Sequence, residues 1–481
     1  VSQAKGWMYK GMLEQINKII TAVQGAVWGL PLILLILFTG FLLTVRLGLL
    51  QVRHLGKAFK FMVKNEEEGH GEVTSFGALC TALSATIGTG NIAGVATALA
   101  AGGPGALFWM IVAAFFGMAT KYAEGLLAIK YRTVDKDGHI LGGPFYYIEN
   151  GMGKNWKWLA KIFAFFGACV GLFGIGTFTQ VNSISSAVTN FFDPNANNVV
   201  SLFGRTYSWS TVITCIILTL CVGLVVIGGI KRIAKVSEIV VPFMAVLYVV
   251  LGLIIIFTNI TAVPAAVVSI VKSAFTGSAL AGGAMGSMVV AMQQGIARGI
   301  FSNESGLGSA PIAAAAAVTK EPARQGLVSM TGTFIDTIVI CTMTGISVVI
   351  AGSWMNPDLE GVEITMDAFQ KGLPFPPEVA TFSLMICLVF FAFTTILGWN
   401  YYGERCVEYL FNRNKSVVKG YRWLYIAAVF IGPYMTVAAV WNIADVFNAL
   451  MAFPNLVALL ALNGVVVKES KDYFTRLKTM K

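Results

Sequence analysis

The stretch Ser84-Ala85-Thr86-Ile87-Gly88-Thr89-Gly90-Asn91-Ile92-Ala93-Gly94 concentrates backbone chemistry in the middle of an apolar run, Phe76 to Ala100. That run is long enough to cross a bilayer. Gly88 and Gly90 are poor helix formers, and Thr86 and Thr89 are β-branched, so a helix here is weakest at its midpoint. In hydrocarbon, a broken backbone survives only where it is buried in protein or lines a cavity. Two half-helices meeting at such a break present amide N–H groups on one side and carbonyls on the other. Together these suit an anionic group and a small cation. The same glycines would also serve a close-packed seam between helices, and the stretch alone leaves both readings open.

Other polar residues stand inside apolar runs. Asp336 lies about ten residues into one of them, where a carboxylate is costly unless paired or hydrated; it is a candidate to attract a cation or to pair with a basic residue. Gln180 at membrane depth needs partners, and Phe178 beside it is a packing candidate; both follow Gly174-Ile175-Gly176. Thr394-Thr395 offers adjacent hydroxyls, either for a ligand or for back-bonding to the preceding turn. Trp399 lies four residues after Thr395, on the same helix face, as a pocket cap or an interfacial residue. Lys121 and Glu124, three apart, read as a structural or gating pair.

The elements that position these residues are transmembrane helices. The chain has 481 residues, 56% hydrophobic and only 12% charged, about half the charge of a soluble protein. About eleven runs reach spanning length: Ala26–Gln51, Phe76–Ala100, Gly105–Ile129, Trp158–Phe192, Ser210–Gly229, Ser237–Asn259, Val267–Ile300, Leu327–Ser353, Glu378–Gly403, Tyr421–Trp441 and Asp445–Val467. The expected fold is therefore an all-α polytopic membrane protein. Val1 to Ile20 is amphipathic and does not resemble a cleavable signal peptide.

A net charge of +10 does not point to nucleic acid, because the basic residues sit on alternate loops. One set runs from Arg53–Lys64 through Lys130–Lys161, Lys231–Lys235, Arg298–Arg324 and Arg405–Arg422 to the tail from Lys468. The positive-inside rule places that set in the cytoplasm of a multi-pass plasma-membrane protein, with the N-terminus outside and the C-terminus inside. The seven cysteines show no metal-ligand spacing, and His54, His70 and His139 fall in loops, so neither a metal centre nor an intramembrane histidine relay is expected.

In this topology the second span runs outward and the seventh runs inward. The seventh is also glycine-rich near its centre, from Thr276 to Ser287. Two interrupted helices at corresponding places of two inverted five-span units point to a secondary transporter. The organisation read from the sequence is residues 1–75 (amphipathic segment, extra helix and loop), 76–259 and 260–467 (the two five-helix repeats), and 468–481 (tail). A channel would need a continuous polar pore, and an enzyme would need a clustered nucleophile, base or metal set; the spans show neither.

The stretch Ser84–Gly94 continues into Gly102-Gly103-Pro104-Gly105-Ala106 and Phe115-Phe116-Gly117-Met118-Ala119-Thr120-Lys121-Tyr122-Ala123-Glu124. Gly142-Gly143-Pro144, Phe301-Ser302-Asn303-Glu304-Ser305-Gly306-Leu307-Gly308-Ser309-Ala310-Pro311 and Gly398-Trp399-Asn400-Tyr401-Tyr402-Gly403-Glu404 follow. Together these motifs resemble the alanine/glycine:cation symporter family over nearly the whole chain. The resemblance implies a LeuT-type 5+5 inverted repeat preceded by one extra helix, and sodium- or proton-driven uptake of alanine or glycine without a resident cofactor.

It also implies site roles. Thr89 and Gly90 offer amides to the substrate carboxylate. Ser84 and Ile87 offer carbonyls to sodium, completed by Thr394 and Thr395. Asn91 and Asp336 are candidates for a second cation, or for proton coupling in the case of Asp336. Gly282, Gly283, Met285 and Gly286 would supply carbonyls for the substrate amine and one apolar wall, Gln180 would meet that amine or a neighbouring helix, and Met285, Phe178 and Trp399 would enforce small size. Phe301–Pro311 reads as a turn with Ser309 capping a short alanine-rich helix, a connector or inner gate.

Overall fold

The computed structural model describes residues 25, 27–65, 68–136, 138–195, 197–202, 205–276, 284–434 and 437–479. The amphipathic segment 1–20 and the pair Gly282-Gly283 lie outside them. Among the described residues, seven helices are long and apolar enough to cross a membrane, and one bent pair makes an eighth.

In chain order, α1 is Leu30–Arg46 and α2 is Ser75–Thr86, followed by α3, Val95–Gly102. A π-helical turn, Gly90–Gly94, leads into α3, and the axis bends by 52° between the two halves. α4 is Gly105–Lys130. α5 (Lys157–Phe173) and α6 (Phe178–Phe192) divide the expected fourth span at Gly174–Thr177. α7 is Trp209–Val226, and α8, Gly229–Thr258, absorbs the basic segment expected as a loop. α9 is Val263–Thr276, α10 is Ala284–Asn303 and α11 is Ala310–Ala314. α12 (Pro322–Thr333) passes through a π-helical stretch, Phe334–Cys341, into α13 (Thr342–Ala351). α14 is Val362–Gly372, α15 is Pro377–Leu410, α16 is Lys415–Ile431 and α17 is Val437–Thr479.

The helices start where local chemistry lets them. Thr74 caps α2 by accepting the Gly77 N–H at 2.8 Å, and Asn414 caps α16 by accepting those of Ser416 and Val417. Large side chains such as Tyr122, Phe163, Trp399, Tyr402 and Tyr425 are fully buried between helices, while Leu220, Leu224, Ile239 and Phe257 stand exposed. An apolar exterior around an aromatic interior suits a lipid solvent.

At the basic end of the bundle the chain is clamped. Arg132 donates to the carbonyls of Ala315, Ala317, His70 and Thr319 at 2.6–2.8 Å. These carbonyls belong to non-helical backbone, where isolated bridges pair His70 with Thr319 and Val73 with Ala317. The guanidinium therefore satisfies acceptors that no helix supplies with donors.

Candidate functional site

The break in the second span is built from its own residues outward. Gly88 N–H donates to Asn91 Oδ1 at 2.8 Å, not to the carbonyl four residues earlier, which releases the Ser84 carbonyl from its helical partner. Ile87 ends α2 with ψ 97°, and its carbonyl accepts the Thr395 hydroxyl at 3.2 Å. Thr89 N–H donates to Gln180 Oε1 at 3.2 Å. A Cβ on Gly88 would stand 2.5 Å from Thr395 Oγ1 and 3.1 Å from Gln180 Oε1, so glycine is required here by close approach. Gly398 plays the same part on α15: its Cβ would lie 2.8 Å from Ser84 Oγ.

Thr394 and Thr395 both donate back to the Phe391 carbonyl at 3.0 Å. Back-bonding and a ligand role are therefore compatible: the one Thr395 proton is shared between the Phe391 and Ile87 carbonyls, and the oxygen lone pairs stay available. Ser84, Ile87, Thr394 and Thr395 are all buried where α2 meets α15.

Asn91 links the break to the π-helical stretch after α12. Its Nδ2 donates to Asp336 Oδ1 at 2.7 Å and to the Asp336 carbonyl at 3.1 Å. Ser302 and Thr337 hydroxyls donate to Asp336 Oδ2 at 2.9 and 2.7 Å. Asp336 is fully buried and its hydrogen-bond donors are neutral, so the expected alternative of a basic partner is replaced by three neutral donors. The carbonyls of Asn91 and Ile92 accept the hydroxyls of Thr344 and Thr365 at 2.8 and 3.0 Å. The amides of Gly88 and Thr89 and the carbonyls of Ile87, Asn91 and Ile92 thus meet polar side chains.

The glycine-rich centre expected for the seventh span falls largely on residues 277–283, outside the described residues; a second interruption lies further along the chain. α10 ends at Asn303, and Glu304, Gly306 and Gly308 adopt positive φ of 57°, 89° and 81° before α11 begins. A Cβ on Gly90 would stand 3.0 Å from Ser302 Cα, so this turn lies opposite the break in the second span. Met285 and Gly286 sit in the first turn of α10, about 25 Å along the helix from Ser302 at 1.5 Å per residue. α9 packs far from it too, its Ala274 carbonyl accepting Trp109 Nε1 at 3.2 Å.

The structure also places Trp399, Ser309, Phe178 and the Lys121–Glu124 pair. Trp399 is fully buried, and its Nε1 donates to Glu304 Oε1 at 2.8 Å. Ser309 does not cap α11; its hydroxyl donates to Glu304 Oε2 at 2.5 Å. Phe178 packs its ring tilted against that of Phe173, centroids 5.9 Å apart, and faces Gly432. It lies two residues from Gln180, about 200° around the helix, and so points away from the break. Lys121 and Glu124 are both buried without an ion pair between them. Glu124 accepts from Gly306 N–H and Asn455 Nδ2, while Lys121 lines a 20 Å³ cavity with Asn303 and Gln325.

Ser302, Asn303 and Glu304, in the stretch expected as a connector or inner gate, thus lie against the break and the Asp336 stretch. A detectable signal was the run of polar residues ending on Gly306 and Gly308, where α10 stops. At the end opposite the basic clamp, a cleft of about 660 Å³ reaches the break past Ala93 and Thr97, bordered by Asn182, Ser183 and Arg298. Arg298 pairs with Asp445 at 2.8 Å beside it.

A broken helix with its carbonyls facing hydroxyls and its amide held by a carboxamide is a transporter's architecture, and the comparisons name the kind. The sodium:alanine symporter family matches residues 13–481. The chain belongs to that family. Its relatives include the sodium/alanine symporter AgcS of Methanococcus maripaludis, 48% identical over 95% of this chain and 96% of that one. The probable sodium/glutamine symporter GlnT of Bacillus subtilis is 37% identical over 98% and 93%. The putative sodium/proton-dependent alanine carrier YrbD of the same bacterium is 37% identical over 94% and 92%. Among solved structures, MhsT in complex with L-phenylalanine superposes with a TM-score of 0.57 at 15% identity, covering 84% of this chain and 93% of that one, which establishes a shared LeuT-type fold. This member of the sodium:alanine symporter family is therefore a multi-pass membrane transporter for cation-coupled amino-acid symport, not an enzyme.

Proposed function

We propose that this protein carries alanine or glycine into the cell together with sodium, by alternating access. The observation that carries the reading is the occupancy of the break itself. Gln180 Oε1 holds the Thr89 amide, and the Thr395 hydroxyl holds the Ile87 carbonyl. An arriving carboxylate replaces the neutral carboxamide oxygen at Thr89 and Gly90, where the N-terminal end of the following half-helix favours a negative charge. Sodium takes the carbonyls of Ser84 and Ile87 and the oxygens of Thr394 and Thr395, all hard donors suited to it.

Filling both halves ties α2 to α15 and closes the cleft above Ala93. The substrate then leaves at the basic end once the Arg132 clamp releases. The loop charges support placing that end in the cytoplasm, with the N-terminus outside. The paired breaks at Gly88–Gly90 and Glu304–Gly308 support two inverted five-helix repeats after α1. Small size is enforced by Phe301 and Trp399 around the second break. Asn91 and Asp336 form the candidate second cation site.

Proton coupling through Asp336 is the second reading, favoured by a buried carboxylate whose hydrogen-bond donors are all neutral. Equilibrium binding of labelled alanine to the purified protein distinguishes the two. Sodium in place of choline strengthens binding under the first reading, while lowering pH does so under the second. Glycine competes in either case, and a failure of glycine to compete refutes the substrate assignment.

A further inference from the structure

At the basic end of the bundle, remote from the break, a cleft of about 710 Å³ opens between the end of α7 and the start of α16. Arg413, Lys415, Lys419 and Arg422 line it, against the carboxylates of Asp135 and Glu408. Two of the cations are engaged: Arg422 grips Glu404 through two hydrogen bonds of 2.7 Å, and Arg413 lies 3.4 Å from Asp135. Lys415 and Lys419, one helical turn apart, are exposed and have no ion pair among the described residues. His139 also lines the cleft, its ring hydrogen-bonded by Glu408 and Glu72, which hold its pKa up at about 9 against burial and offset its charge.

The rest of the lining is apolar and continues out of the cleft. Trp423 on α16 is 55% exposed and Ile227 at the end of α7 is 54% exposed. From there Leu224 and Leu220 on α7, and Leu424 on α16, continue an exposed apolar surface along the pair. The two helices come together where Ile426 meets Gly223. A cationic mouth thus opens onto a hydrocarbon-facing groove, with an indole at the boundary. Basic pockets between transmembrane helices suit anionic headgroups, and tryptophan suits the headgroup level.

We propose that this cleft is a specific site for an anionic phospholipid, its phosphate held by Lys415 and Lys419 and its acyl chains lying along the α7–α16 groove. A free phosphate would satisfy the lysines but would leave Ile227 and Trp423 unused, so the lipid is the occupant the lining favours. The site is independent of the transport reading, since none of its residues touches the break.

The test is native mass spectrometry of the purified full-length protein, delipidated and titrated with phosphatidylglycerol or phosphatidylcholine. One saturable phosphatidylglycerol is expected, with no matching phosphatidylcholine and no displacement by millimolar inorganic phosphate. K415Q/K419Q weakens that binding about 30-fold, taking about fivefold per lysine at a membrane surface. K231Q/K235Q, at the same end but outside the cleft, leaves it within about threefold and controls for general surface charge. Alanine binding by each variant reports that the fold is intact. Equal binding of both lipids, displacement by phosphate, or equal losses in the two variants overturns the proposal.

Discussion

Replacing Thr395 with valine keeps the shape of the side chain and removes one hydroxyl. That hydroxyl makes neutral hydrogen bonds, at 3.2 Å to the Ile87 carbonyl and at 3.0 Å to that of Phe391. A neutral bond of this kind contributes about 0.5–1.5 kcal/mol, whereas the same oxygen facing a charge contributes about 1.5–3 kcal/mol. Thr395 is 1% exposed, so no water replaces the lost oxygen cheaply. The cation-bound state therefore loses about 1–1.5 kcal/mol more than the cation-free state, a five- to twelvefold loss of sodium affinity. The assay is alanine uptake into proteoliposomes as a function of external sodium. Thr395→Val raises the half-maximal sodium concentration about tenfold, and Thr395→Ser, which keeps the oxygen, stays within about threefold. A valine variant with the parental sodium dependence, or a serine variant as impaired as the valine one, would refute the placement of sodium between α2 and α15.

Gln180→Glu puts a carboxylate on the Thr89 amide, so it competes with the substrate carboxylate and raises the alanine KM at least about tenfold, like charges at one site costing several kcal/mol; an unchanged KM contradicts the carboxylate site. Gly306→Ala forces a Cβ onto a residue at φ 89° and to 3.2 Å from Leu456. It costs about 1–2 kcal/mol, read as a lowered melting temperature of the purified protein; an unchanged melting curve shows that this turn is not the constrained break. His139 titrates at about 9 in the folded chain, raised by its bonds to Glu408 and Glu72 from an ordinary value of 6.5. A raised pKa stabilises fully below about 6.5 and is lost as pH climbs through about 9. The melting temperature therefore falls between pH 7 and 10, and His139→Gln flattens that fall; parallel curves for the two proteins contradict it.

The first break was legible because its signal is local. Gly88, Gly90 and two β-branched threonines weaken any helix, wherever it sits, and the run around them is apolar enough to locate the weakness at membrane depth. The turn at Glu304–Gly308 has no comparable local signal at its first residue. Glu304 has good helix propensity, yet the chain turns there while Trp399, from across the bundle, and Ser309 hold its carboxylate. No single-chain pattern records such a partnership. Asp336 was recognisable from its cost alone, whereas its donors Asn91, Ser302 and Thr337 come from three separate segments. Phe178 illustrates how two residues of offset decide a role: the same helix that aims Gln180 at the break turns Phe178 toward Gly432.

Sodium coupling is tested most directly by labelled alanine uptake into liposomes holding the purified protein, under an inward sodium gradient or an inward proton gradient at equal ionic strength. Accumulation of alanine above its external concentration with the sodium gradient, abolished when an ionophore collapses that gradient, is the predicted result. Accumulation driven by the proton gradient alone, with no response to sodium, would contradict it.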